Sequence, residues 1–81
     1  MNITLTKKPC GKFDITTDGE LSFVHVYSHS VYAVLDGDDV CEIVFDNNQW
    51  LYCGYAAILL SASDLREIAG VIDALNGYEG N

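Results

Sequence analysis

Residues 34–54, VLDGDDVCEIVFDNNQWLYCG, set two turns rich in Asp, Asn and Gly around a run of β-type residues. Asp and Asn side chains bond the local backbone and tolerate positive φ, so DGDD (36–39) and DNN (46–48) are expected to be turns. Around them lie three short segments, 31–35, 40–45 and 49–53, rich in β-branched and aromatic residues. Connections this short join antiparallel neighbours, so the stretch reads as successive hairpins. By strand alternation Cys41, Ile43 and Phe45 share one face, and Val40, Glu42 and Val44 the other.

The same punctuation continues toward the N-terminus. SHS (28–30) precedes 31–35, and TTDGE places Asp18-Gly19, a strong hairpin signal, between segments 13–17 and 21–27. KKPCGK (7–12) ends the first segment, 3–7, where Pro9 removes a backbone donor. Toward the C-terminus, LLSASDLREIAGVIDALNG (59–77) predicts a helix. Ser61 is placed as the N-cap with Asp64 three residues on, and Leu60 and Leu65 fall at the positions of a hydrophobic staple. Leu65, Ile68, Ala69, Ile72 and Leu75 recur at helical spacing as the inward stripe, widened by Val71. Arg66, Glu67, Gly70, Asp73 and Ala74 fall on the opposite arc, and Asn76-Gly77 is the expected left-handed stop. Tyr78 is expected to fold back on the core, with the rest of the tail YEGN loose.

The sequence therefore predicts a single α+β domain over residues 1–81. Its architecture is an antiparallel β-meander of about five or six strands with one C-terminal amphipathic helix packed on one face. One helix covers one face. Val24, Val26, Tyr32, Val34 and Val44 make the second face apolar as well, and large uncovered apolar patches mark interaction surfaces, so a homodimer is one expectation.

Charge narrows the function classes. Twelve acids against four bases give −8, and the 49% apolar content excludes a disordered chain. Lys7, Lys8 and Lys12 precede every acid, and from Asp14 onward Arg66 is the only base. Such a chain repels phosphate, which excludes direct nucleic-acid binding, and attracts basic protein surfaces. The longest apolar run, residues 54–60, is too short to span a bilayer. MNITLTKKP reads as a strand and not as a charged-then-apolar leader. With three cysteines at unpaired spacing, the expectation is a cytoplasmic protein with reduced thiols, Cys41 and Cys53 in the core and Cys10 exposed.

No chemistry-bearing constellation emerges. Asp39 and Asp46 lie roughly 23 Å apart along an extended strand, so the acids of 36–46 cannot share one ion, and the spacing is not that of a calcium loop. His25 and His29 have no cysteine at zinc-site spacing. No catalytic residue, metal or cofactor is expected. The candidate partner-binding residues are the acids Asp36, Asp38, Asp39, Glu42 and Asp46, read as a row of negative charge, and the aromatics Trp50, Tyr52 and Tyr55 around Gly54. Half-buried strands select such aromatics, and so do binding hot spots. The expected function is a non-enzymatic acidic protein-binding module: an inhibitor docking on a basic surface of a nucleic-acid-handling machine. Small acidic inhibitors from phages and mobile elements, including anti-CRISPR proteins and DNA mimics, share this size and charge. The alternative is a self-associating structural module that dimerises through the apolar sheet face.

Overall fold

In the computed structural model, which describes residues 2–78, six strands precede one helix. They are β1 (Ile3–Lys7), β2 (Phe13–Thr17), β3 (Ser22–Tyr27), β4 (Ser30–Leu35), β5 (Asp38–Asp46), β6 (Gln49–Gly54) and α1 (Ala62–Gly77). The strands pair in chain order as one antiparallel meander, with α1 against one face. The α+β arrangement matches the expectation from sequence. No helix of the described residues is long and apolar enough to cross a membrane.

Turn chemistry sets the register on the β6 side of the sheet. Asp36 and Gly37 both take positive φ (52° and 88°), and Leu35 pairs directly with Asp38 across them. Asn47 and Asn48 do the same (53° and 65°) between the paired residues Asp46 and Gln49. Both are the two-residue turns whose twist matches that of the strands they join. Asp18-Gly19 departs from this pattern: Gly19 is not in the left-handed region, and residues 18–21 make a longer connection. β5 also extends beyond its expected limits at both ends, taking in Asp38, Asp39 and Asp46. Ala33 pairs with Cys41 and Val34 with Asp39, leaving Val40 as the extra residue of a bulge. The bulge turns Val40 into the core beside Cys41, which corrects the assignment of Val40 to the face of Glu42.

The core lies between α1 and the face built from Phe23, Val31, Ala33, Cys41, Ile43 and Trp50. Ser61 caps α1 with the reciprocal capping box: the Asp64 amide donates to Ser61 Oγ at 3.0 Å, and the Ser61 amide to Asp64 Oδ2 at 3.3 Å. The buried stripe is Asp64, Glu67, Ile68, Val71 and Leu75. It is rotated by roughly a quarter turn from the stripe read in the sequence. Leu65 is 47% exposed, while Glu67, expected on the solvent side, is 2% exposed. Asn76 is still helical and does not stop the helix; α1 ends at Tyr78, which takes an extended conformation and packs edge-on against Phe13 at 4.8 Å between ring centroids. Met1 and residues 79–81, the remainder of the tail, lie outside the described residues.

Polar side chains fix the helix at both ends. The Glu67 carboxylate accepts from Thr17 Oγ1 at 2.7 Å and from the Leu21 amide at 3.2 Å, tying α1 to the connection between β2 and β3. It lies so close over Gly19 that an added Cβ would overlap the carboxylate. At the other end, the Trp50 amide donates to Asn76 Oδ1 at 2.7 Å, and Asn76 Nδ2 donates to the Trp50 carbonyl at 3.1 Å. Between these ends, β2 and β3 pair only through Asp14 with Val24 and Ile15 with Phe23. Where that ladder stops, the buried His25 imidazole takes the Phe13 amide on Nδ1 at 2.8 Å, which places the ring proton on Nε2, 3.3 Å from the Ser28 carbonyl.

Glu67→Ala is expected to cost about 1–3 kcal/mol, because it strips the Leu21 amide and the Thr17 hydroxyl of their buried partner. Gly19→Ala should destabilise the wild-type protein and add little once Glu67 is already alanine, a non-additivity that a double-mutant cycle by denaturation reads directly. Ile68→Ala should cost about 2–5 kcal/mol and Leu65→Ala under about 1 kcal/mol.

Burial holds His25 below its ordinary pKa of 6.5, with Lys12 and Lys8 adding to the effect against hydrogen bonds to Ser28 and Tyr27. The unfolded chain therefore takes up this proton first as pH falls. The stabilisation is complete above about pH 6.5, falls as pH drops toward the folded value, and is flat below it. The slope of unfolding free energy between about pH 6.5 and 5.5 should be smaller in His25→Phe than in wild type, measured by denaturant titration.

Candidate functional site

A meander sends alternate turns to opposite ends of the sheet, so the parity of each turn decides where its charges go. The connections β2–β3 and β4–β5 share one end, together with the start of α1. Asp18 and Glu20 come from the first, and Asp36, Asp38 and Asp39 from the second; all are exposed. The two connections lie two strand spacings apart, about 9.6 Å, slightly more than the screening length of about 8 Å at physiological salt. Their carboxylates are gathered at one end of the molecule as an acidic pole. Lys7, Lys8 and Lys12 collect at the opposite end with the β1–β2 connection, where Lys8 Nζ lies 3.5 Å from Asp14.

The structure brings together three of the five acids singled out in sequence, Asp36, Asp38 and Asp39, and separates the other two. Asp46 lies at the lysine end of β5 beside the Asn47-Asn48 turn. Glu42 lies in mid-strand on the face away from α1, half-buried, accepting from the Ser30 hydroxyl at 2.6 Å. The acids form a pole with one outlying carboxylate on the sheet and another at the far end, not a continuous row. Asp18 and Glu20 went unrecognised as part of the group. Their signal was available, because turns two apart in a meander share an end.

The face around Glu42 is apolar and uncovered. Val24, Val26 and Leu51 are exposed on it, and Tyr32, Val34 and Val44 are half-buried. Tyr32 pairs across strands with both Val24 and Glu42. Partial burial, then the neighbouring Glu42 carboxylate, raises the Tyr32 phenol above its ordinary pKa, and the same two causes in the same order raise Tyr55. Cys53 pairs opposite Glu42 and is exposed, contrary to its expected place in the core.

The three candidate aromatics divide. Trp50 is 7% exposed, edge-on to His25 at 5.7 Å, and packs in the core on the α1 side of the sheet, so its ring is not part of the uncovered outer face. Tyr52 is half exposed beside Leu65 and Ile72 of α1, and its hydroxyl end lies over Gly54, where an added Cβ would make the ring shift. Tyr55 follows β6 into the connection that precedes α1. Among the described residues, no three His, Cys, Asp or Glu side chains gather as a set of metal ligands. Compared with known proteins, the chain matches no protein-family model, no curated protein and no solved structure.

The outer face is checked by thiol reactivity. Cys10 and Cys53 are exposed, whereas Cys41 is buried and its thiol is pushed up to about 11, first by burial and then by Cys53 nearby. Two of the three thiols should react readily with an aromatic disulfide reagent in native buffer, and Cys41 only on unfolding. Protection of Cys53 would mean that this face is covered in solution.

Proposed function

We propose that the protein is a non-enzymatic acidic binding module whose acidic pole docks on a basic surface of a nucleic-acid-handling protein, acting there as an inhibitor in the manner of small acidic phage and mobile-element proteins. The observation that carries this reading is the segregation of charge. Asp18, Glu20, Asp36, Asp38 and Asp39 are exposed together at one end, with Arg66 of α1 the one base toward it, and the three lysines lie at the other with Asp14 and Asp46. A folded polypeptide that concentrates negative charge at one end is steered, by its dipole as well as its net −8, toward surfaces built to hold phosphate. Tight turns hold Asp36, Asp38 and Asp39 at the hairpin end, so less ordering is required of them on binding.

A second reading, self-association through the outer sheet face, is favoured by a different observation: Val24, Val26 and Leu51 stand exposed on a face that no element of the described residues covers. The two readings differ in their response to salt. Steered docking weakens as the screening length shrinks, whereas apolar self-association does not.

Replacing Asp36, Asp38 and Asp39 together with Lys should slow capture of a basic nucleic-acid-binding partner by about 10- to 100-fold, mostly through the association rate, while leaving the unfolding midpoint nearly unchanged. Surface plasmon resonance over a salt series measures this. An unchanged association rate in the reversed protein removes the acidic pole from the interface. Sedimentation equilibrium tests the second reading, and a strict monomer across the accessible concentrations eliminates it.

A further inference from the structure

At the lysine end, opposite the acidic pole, a cavity of about 370 Å³ opens between the turns of the sheet and the last turn of α1. Its volume falls within the range of small-molecule sites. Its wall is a continuous arc of rings: Tyr78 edge-on to Phe13 at 4.8 Å, Phe13 stacked on His25 at 5.7 Å, His25 edge-on to Trp50 at 5.7 Å, and Trp50 against Phe45 at 5.2 Å. Lys7 lines the same cavity, with its ammonium 5.8 Å from the centre of the Phe13 ring.

Ser28 and Asn48 contribute a neutral hydroxyl and a neutral amide to this cavity, and Lys7 is its one permanently charged group among the described residues. Both nitrogens of His25 are engaged with backbone groups, and both ends of the Asn76 amide are taken by Trp50. No acceptor among the described residues meets the Trp50 indole N–H, and no fully buried side-chain polar atom there lacks a partner, so this donor reaches solvent. The Lys7 ammonium is a second donor with no carboxylate paired to it among the described residues. In a chain of twelve acids, no Asp or Glu is among the described residues lining this cavity. Aromatic walls with an unpaired ammonium, an indole donor and no acidic lining suit a flat ligand whose polar end is an anion. A cationic ligand would be repelled by the Lys7 ammonium, which already lies over the Phe13 ring.

We propose that this cavity is a binding site for a small planar aromatic carboxylate, its rings against Phe13, Trp50 and Phe45 and its carboxylate paired with Lys7. The site stands apart from the acidic pole, so it neither rests on the docking function nor decides it.

The test is NMR titration of ¹⁵N-labelled protein with 2-naphthoate, with 2-naphthylmethylammonium and 2-naphthylmethanol as comparison probes. Trp50 is the only tryptophan, so its indole N–H gives one unambiguous signal. Saturable movement of that signal with 2-naphthoate is expected, at a Kd of about 1 mM or below. The ammonium probe should bind at least about tenfold more weakly, and the alcohol in between. Lys7 is exposed, so Lys7→Gln should fold normally while weakening 2-naphthoate about five- to tenfold. Lys8→Gln, which removes a lysine engaged with Asp14 and outside this cavity, should change the affinity less than about twofold. No saturable shift up to about 10 mM, equal binding of the ammonium probe, or equal loss in the two lysine variants would each overturn the proposal.

Discussion

Two residue pairs join β2 to β3, and side chains close that seam where backbone pairing stops. Glu67 reaches from α1 to hold Thr17 and Leu21 at one end, and His25 takes the Phe13 amide at the other. The β1–β2 hairpin, five paired residues on each strand, attaches to the rest of the sheet through this seam. Its own apolar residues, Ile3, Leu5, Phe13 and Ile15, are only half-buried against the core. A buried carboxylate and a buried imidazole therefore set the angle at which a marginal hairpin closes over the helix. Because each also satisfies a backbone amide of the seam, truncating either leaves an unpartnered donor as well as a gap.

That seam is also where sequence reasoning ran out. The turns at Asp36-Gly37 and Asn47-Asn48 were legible because their positive φ values follow from residue type alone, and the Ser61–Asp64 capping box was legible because it is local. The helix could be found from its periodicity, but its rotation could not. Leu65 and Glu67 exchange places relative to the expected faces because Glu67 meets a backbone amide 46 residues away in sequence. A hydrophobicity pattern contains no record of such a partner. Gly19 does lie in the connection between antiparallel strands that its residue type predicts, but it takes no left-handed φ there, and the close neighbour above it is the Glu67 carboxylate. Bulging at Val40 likewise depends on pairing with β4, and it reversed the face of one residue in an otherwise regular alternation.

Of the candidate surface, the residue types were legible and their grouping was not. Strand arithmetic separated Asp39 from Asp46 correctly, since they begin and end the long β5. What it omitted was the parity of the meander, which places Asp18 and Glu20 with Asp36 and sends the lysines to the far end. Trp50 and Tyr52, two apart on β6, share the face toward α1 but differ in burial: Trp50 lies in the core, with Asn76 binding its backbone, and Tyr52 lies half exposed beside Leu65 and Ile72. The Trp50 ring belongs to the interior wall at the lysine end.

β6 is a free edge of the sheet, and the Asn76 amide engages both the N–H and the C=O of Trp50 there, standing for one residue where a seventh strand would lie. Residues 49–63 contain no charged side chain and are rich in aromatic and aliphatic groups. An uncharged, β-prone stretch on an open edge is a template for adding foreign strands and, in the extreme, for cross-β stacking. Sheet proteins usually defend such an edge with lysines or prolines in the strand itself. Here the defence is delegated to a side chain offered by the final turn of a helix, supported at long range by net charge. Colloidal behaviour is thereby coupled to helix fraying: when that turn unwinds, the strand loses its guard along with its fold.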